Sequence, residues 1–178
     1  MKNLPEEFIT RMKSLLGDEY EEYEKAVNDS PVRAFRVNTD KITINDFERI
    51  CDVPCEKIPY VDGGYYLDYE KVGNHPFHHA GLIYVQEPAA MAPAECVDIK
   101  PDSKILDMCS APGSKAFHMA ALTNNSAEIT CCDIYEHKIK LINDMAKNLG
   151  VTCLKPTVCD SIMQTYEEPF DYVLLDAP

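Results

Sequence analysis

Beyond residue 100, four short apolar runs alternate with helix-spaced stretches, and this alternation limits the possible folds more than any other feature. KILDMC (104–109), EITCCDI (128–134), TCLKPTV (152–158) and FDYVLLDA (170–177) have strand composition. The stretches 114–122 and 136–149 carry helical spacing, the second through Ile139, Ile142, Met145 and Leu149 before stopping at Gly150. Strands separated by helices cannot be joined by tight hairpins, so each connection must cross over. That predicts an α/β domain with a doubly wound parallel sheet.

The first part of the chain reads differently. Residues 4–28 predict two short amphipathic helices, with Phe8, Ile9, Met12, Leu15 and Leu16 at helical spacing and Gly17 as punctuation. Pro31 ends that pattern. A strand is expected over 34–44 and a short helix from Asn45-Asp46 to Ile50. From Cys51 to His79, six Pro and Gly breaks leave loop and strand. Residues 83–99 predict a turn and then a helix ending before Pro101. The expected division is a small α+β module over 1–79 and an α/β domain over 80–178.

Charge and cysteine content narrow the partners. The chain has 17 Lys+Arg against 30 Asp+Glu, a net −13, and an acidic surface does not attract a phosphate backbone unaided. The excess is spread over both halves, and the acidic run DEYEEYE (18–24) reads as a solvated helix face. No apolar run approaches the ~18 residues of a membrane helix, and the acids in MKNLPEEFITRMKSLL argue against a signal peptide, so a cytoplasmic location is expected. The eight cysteines form no CxxC pair, which argues against a zinc site. They are expected to be reduced packing residues.

Ligands of doubly wound sheets bind at the carboxyl ends of the strands. The first run ends in LDMCSAPGSKAF, a strand feeding a Pro-Gly turn into a helix start with free N–H groups. Neither GxGxxG nor GxxxxGK[ST] is present, so NAD and ATP are not supported. The later runs end at Asp133, Asp160 and Asp176. Any one of these could simply cap the next helix. Three of them beside one glycine turn suit an adenosyl ligand carrying a ribose, an adenine amine and an ammonium group.

LDMCSAPGSK, with Asp133, Asp160 and LLDAP, closely resembles the Sun-family RNA cytosine methyltransferases, whose pattern is roughly LDxCAAPGGK … DAPCSG. Upstream, LPEEFITRMKSLLGDEY, RAFRVNT and HPFHHAGLIYVQEPAAMAP look like the bacterial branch acting on small-subunit ribosomal RNA. The resemblance implies a Rossmann-like class I methyltransferase domain, cut after its fourth strand, behind a small α+β N-terminal domain. It implies that Cys109, Ser110, Ala111, Pro112, Gly113, Ser114 and Lys115 wrap the methionine part of S-adenosylmethionine. In the same way Asp133 would hold the ribose, Asp160 would meet the adenine edge, and Lys138 would stand where an arginine is frequent. Asp176 would lie between cofactor and target base and position the cytosine ring. Ser110 and Ser114 replace the family's usual Ala and Gly.

The family activates cytosine by adding a cysteine thiolate to carbon-6, and its two cysteines follow the DAP motif. Neither lies within these 178 residues, so the resemblance implies an N-terminal fragment that is inactive alone, with an unpaired fourth strand prone to self-association. The full-length enzyme is expected to be a monomer acting on ribosomal RNA, with no metal and no membrane partner. Arg33, Arg36 and Asn38 are the candidates for RNA contact, with a structural surface-charge role as the alternative. Two other readings stay open: a noncatalytic adenosyl- or RNA-binding module, and a methyltransferase of protein or small molecules.

Overall fold

The computed structural model describes residues 4–68 and 71–177. The Pro178 of the DAP motif lies outside them. The chain divides into two compact units, 1–32 and 33–178. In the first, α1 (Glu6–Leu16) opens on Glu6 and Glu7 and closes near Lys13, the charge order that suits a helix dipole. Gly17, at φ 53°, ends it, and α2 (Tyr20–Asn28) follows.

The second unit contains two sheets. The strand β1 (Arg33–Val37) is shorter than the expected 34–44, because residues 38–43 turn to start α3 (Ile44–Ile50). Thr43 caps that helix by accepting from the Asp46 amide at 3.1 Å. Then come β2 (Cys55–Lys57), β3 (Gly64–Leu67), α4 (Pro76–His79), β4 (Ile83–Val85) and α5 (Pro88–Glu95). The strands pair antiparallel in the order β2-β3-β1-β4. Phe35, Phe47, Tyr65 and Ile83 form the core beside them.

Here the structure corrects the expected turn and helix over 83–99. Ile83, Tyr84 and Val85 are β-branched or aromatic and complete the first sheet against β1. The helix begins only at Pro88, whose missing N–H costs nothing at a first turn. The first sheet therefore runs past the boundary expected at 79/80.

The second sheet is built from β5 (Lys104–Asp107), β6 (Glu128–Asp133), β7 (Leu154–Val158) and β8 (Tyr172–Leu174). Two helices, α6 (Ser114–Leu122) and α7 (Glu136–Leu149), occupy the predicted spans. All strands are parallel in the order β7-β6-β5-β8, the first four positions of the doubly wound arrangement. The order reverses between β5 and β8, which sets the crevice for a ligand there. Ile105, Phe117, Ile129, Cys131, Ile142 and Leu149 make the core. Pro156 is tolerated because β7 is an edge strand. Val173 of β8 and Leu175 just after it are exposed. Among the described residues no helix is long and apolar enough to cross a membrane.

A polar clamp joins the sheets. Asn38 donates both amide protons, to the Gly81 and Leu149 carbonyls at 2.8 and 2.7 Å. The Lys41 ammonium donates to Ala80 and Asn148 at 2.8 and 2.6 Å. Carbonyls at the end of α7 thereby gain partners, one of them a cation where the helix dipole favours it.

Candidate active site

The candidate site lies at the carboxyl ends of all four parallel strands, and backbone hydrogen bonds lock those ends together. Met108 N–H donates to Leu174 at 3.0 Å, Ser110 N–H to Cys132 at 2.9 Å, and Cys159 N–H to Asp133 at 3.1 Å. The Ser161 hydroxyl reaches the Met108 carbonyl at 2.8 Å. The loop 108–113 passes through a cis Ala111–Pro112 bond into Gly113, the left-handed residue (φ 98°) that starts α6. A side chain at Gly113 would meet Phe117 at 2.8 Å, so the turn can sit this close to its helix only with glycine.

Each predicted cofactor residue falls at this rim. Asp133 ends β6 with only 9% of its side chain exposed. One oxygen accepts from the Tyr135 amide at 3.0 Å and the other lies 3.5 Å from the Lys138 ammonium. Asp160 is exposed and accepts from the Ile162 amide at 3.0 Å. Both aspartates therefore shape the chain after their strands. Lys115, in the first turn of α6, is ion-paired with Asp176 beyond β8. Cys109 is half-buried, and burial together with Asp107, Asp133 and Asp176 pushes its thiol up, keeping it protonated and a poor nucleophile.

Sequence reasoning passed over Asp107. This last residue of β5 is 1% exposed, and burial raises its carboxyl to about 6, with Ser110 and Lys115 pulling the other way. Its Oδ2 has no hydrogen-bond partner, and neither has the nearby buried Ser110 hydroxyl. The available signal was an acid ending an apolar strand just before the glycine turn. A buried carboxylate oxygen left without a partner at the sheet's switch point fits a ligand that brings donors, such as an ammonium group.

The N-terminal candidates behave otherwise. Arg36 is 5% exposed, donates through Nε to Gln86 at 3.0 Å and lies over the Tyr84 ring. Burial lowers it to about 10, and Tyr84 and Glu95 of a largely buried polar cluster pull the other way. There His118, held neutral by burial, bonds Glu95 at 2.9 Å. Asn38 belongs to the clamp. RNA contact by Arg36 and Asn38 is thus corrected to a structural role, because both side chains are buried and the Asn38 amide protons are already committed to the clamp. Arg33 is half-buried at the start of β1. The cysteines also need a correction, since Cys55 and Cys96 are exposed and not packing residues.

Residues 4–88 match the model of the N-terminal domain of 16S rRNA methyltransferase RsmF, and residues 94–178 match that of 16S rRNA methyltransferase RsmB/F. The ribosomal RNA small subunit methyltransferase F of Vibrio cholerae is 31% identical over 193 aligned residues, covering 99% of this chain and 40% of that protein. The probable small subunit methyltransferase B of Bacillus subtilis is 38% identical over 109 residues, covering 60% of this chain and 24% of its own. A solved methyltransferase homolog from Pyrococcus horikoshii superposes at TM-score 0.85 with 29% identity, over 99% of this chain and 60% of that one. The chain thus spans less than half the length of these curated relatives. With family matches over both parts and the glycine turn seated at the switch point of a Rossmann-like sheet, the chain belongs to the RsmB/F (Sun) family of methyltransferases.

Proposed function

We propose that residues 94–178, which carry the parallel sheet, form the S-adenosylmethionine-binding half of a ribosomal RNA methyltransferase, with the antiparallel sheet and the helices before it, residues 4–88, as its N-terminal module. The observation that carries this reading is the orphaned Asp107 carboxylate oxygen at the switch point, with Asp176 close enough to act on its charge, Asp133 ending β6 and Asp160 following β7. Four acids against Lys115 and Lys138 leave local negative charge, which favours a ligand bearing sulfonium and ammonium groups. When bound, this cofactor supplies an electrophilic methyl group. The 109–115 loop receives the methionine part, Asp107 its ammonium, Asp133 the ribose hydroxyls and Asp160 the adenine amine. Lys115 fixes Asp176 at the mouth of the crevice, where a target base would enter.

Titration of the cofactor into the protein and into Asp133→Ala tests the binding half. Loss of hydrogen bonds to a charged acceptor, roughly 1.5–3 kcal/mol, lowers affinity about 10- to 100-fold. Equal affinity in both proteins would sink the ribose assignment.

Cytosine carbon-5 of small-subunit ribosomal RNA is the proposed target, with a cysteine thiolate of the full-length protein adding to carbon-6. Incubating the full-length protein with RNA tritiated at cytosine carbon-5 is expected to release tritium to water, one per methyl transferred. Methylation with the tritium retained would overturn the carbon-5 assignment.

A further inference from the structure

Far along the chain from these strand ends, two thiols face each other. Cys51 is the residue after α3, and its amide donates to the Phe47 carbonyl at 2.8 Å. Cys55 opens β2 and is paired in register with Leu67 of β3. Both ends of the intervening Asp52-Val53-Pro54 loop are therefore fixed by regular structure, one of them through a helix anchored by the fully buried Phe47. This brings the sulfurs to 3.8 Å, with Cys55 exposed and Cys51 half-buried.

We propose that Cys51 and Cys55 are a modification site, a dithiol that closes to an intrachain disulfide by exchange with a small-molecule disulfide such as oxidised glutathione. A disulfide needs about 2.05 Å between sulfurs. Rotation of the two cysteine side chains covers the difference, with Asp52 and Pro54 of the loop exposed and Val53 half-buried against the core. One protein thiolate attacks the glutathione disulfide, its S–S bond breaks, and a glutathione thiolate leaves and takes up the proton. The second protein sulfur then attacks the mixed disulfide, forming the Cys51–Cys55 bond and expelling the second glutathione. Two protein thiols are oxidised and one disulfide is reduced to two thiols. Burial and the adjacent sulfur push the Cys55 thiol up, so Cys55 rests protonated at neutral pH and is slow as the first attacking sulfur. Selectivity comes from the second step, in which the resolving sulfur is already in contact. Closure staples the edge strand β2 to the end of α3.

The test equilibrates the folded protein in buffers of oxidised and reduced glutathione, followed by alkylation and intact-mass and peptide analysis. Exposed Cys96, with no sulfur contact among the described residues, serves as the internal reference. The expected result is loss of two hydrogens and a 51–55 cross-linked peptide, at a ratio where Cys96 is still mostly free or carries glutathione. Cys51→Ser and Cys55→Ser are expected to stop at a glutathione adduct on the remaining thiol. The proposal is overturned if the wild type accumulates such adducts without closing. It is equally overturned if the unfolded chain in urea closes this pair as readily as the folded one.

Discussion

Replacing Gly81 with alanine is expected to cost about 3 kcal/mol of stability, read as a lowered urea midpoint. Gly81 sits at φ 67°, where a side chain costs roughly 1–2 kcal/mol. A methyl group there would also stand 2.3 Å from the Asn148 carbonyl oxygen and 2.8 Å from the Lys41 ammonium. The nearer atom is backbone at the end of α7 and cannot swing aside. Overpacking of this kind costs typically 1–3 kcal/mol. The methyl would intrude on the clamp itself, since Asn38 donates to Gly81 and Lys41 to Asn148. Gly73→Ala is the control, with open space around it and no positive φ, and is expected to move stability by less than about 0.5 kcal/mol. A Gly81→Ala protein within 1 kcal/mol of wild type would mean that the clamp can open at little cost.

The second large effect concerns Asp107, where stability and binding are expected to move in opposite directions. Its carboxyl titrates near 6 in the folded protein against an ordinary 3.8, because burial disfavours the charge. The folded state thus holds the proton more tightly than the unfolded chain. Stability contributed by the protonated form is complete below pH 4 and is lost as pH rises through 6, to a total of about 3 kcal/mol. Asp107→Asn removes that slope. Allowing for an amide that must itself find partners, the variant is expected to be about 1–2 kcal/mol more stable than wild type at pH 8 and to show no advantage near pH 4. Its affinity for S-adenosylmethionine is expected to fall about 10- to 100-fold, because the ammonium loses its anionic partner. Denaturation midpoints across pH, paired with calorimetric titration, read both. A variant that gained stability and kept full affinity would remove Asp107 from the ligand site and leave it a purely structural burden.

What could be read from the chain alone follows from how local each signal is. The helices α6 and α7 were legible to the residue because their ends carry local chemistry, Gly113 before one and Gly150 after the other. The parallel sheet was legible from alternation. β4 was not, since three residues ahead of a proline carry no period, and only the β1 partner makes them a strand. In the site, Asp133, Asp160 and Asp176 stood out by their spacing. Asp107 did not, because its distinguishing property is an unpaired oxygen, which exists only once Ser110 and the strand ends close over it. Arg36 and Asn38 were misread for the same reason. A basic or amide side chain near a strand looks outward in sequence, and only the packed structure shows Gln86, Tyr84 and the α7 carbonyl around them.

The clamp also has a consequence in time. Asn38 and the Leu149 carbonyl it binds are 111 residues apart in the chain. A ribosome adding about 5–20 residues per second leaves roughly 6 to 20 seconds between the synthesis of the two. Every pairing of the first sheet is complete by Val85, so that sheet can close early in the interval. Meanwhile Asn38 and Lys41 have only water or the nearby 80–81 carbonyls to bind. Their bonds to α7 therefore come well after the first sheet's own pairings, and they form when α7 arrives at a surface already waiting for it.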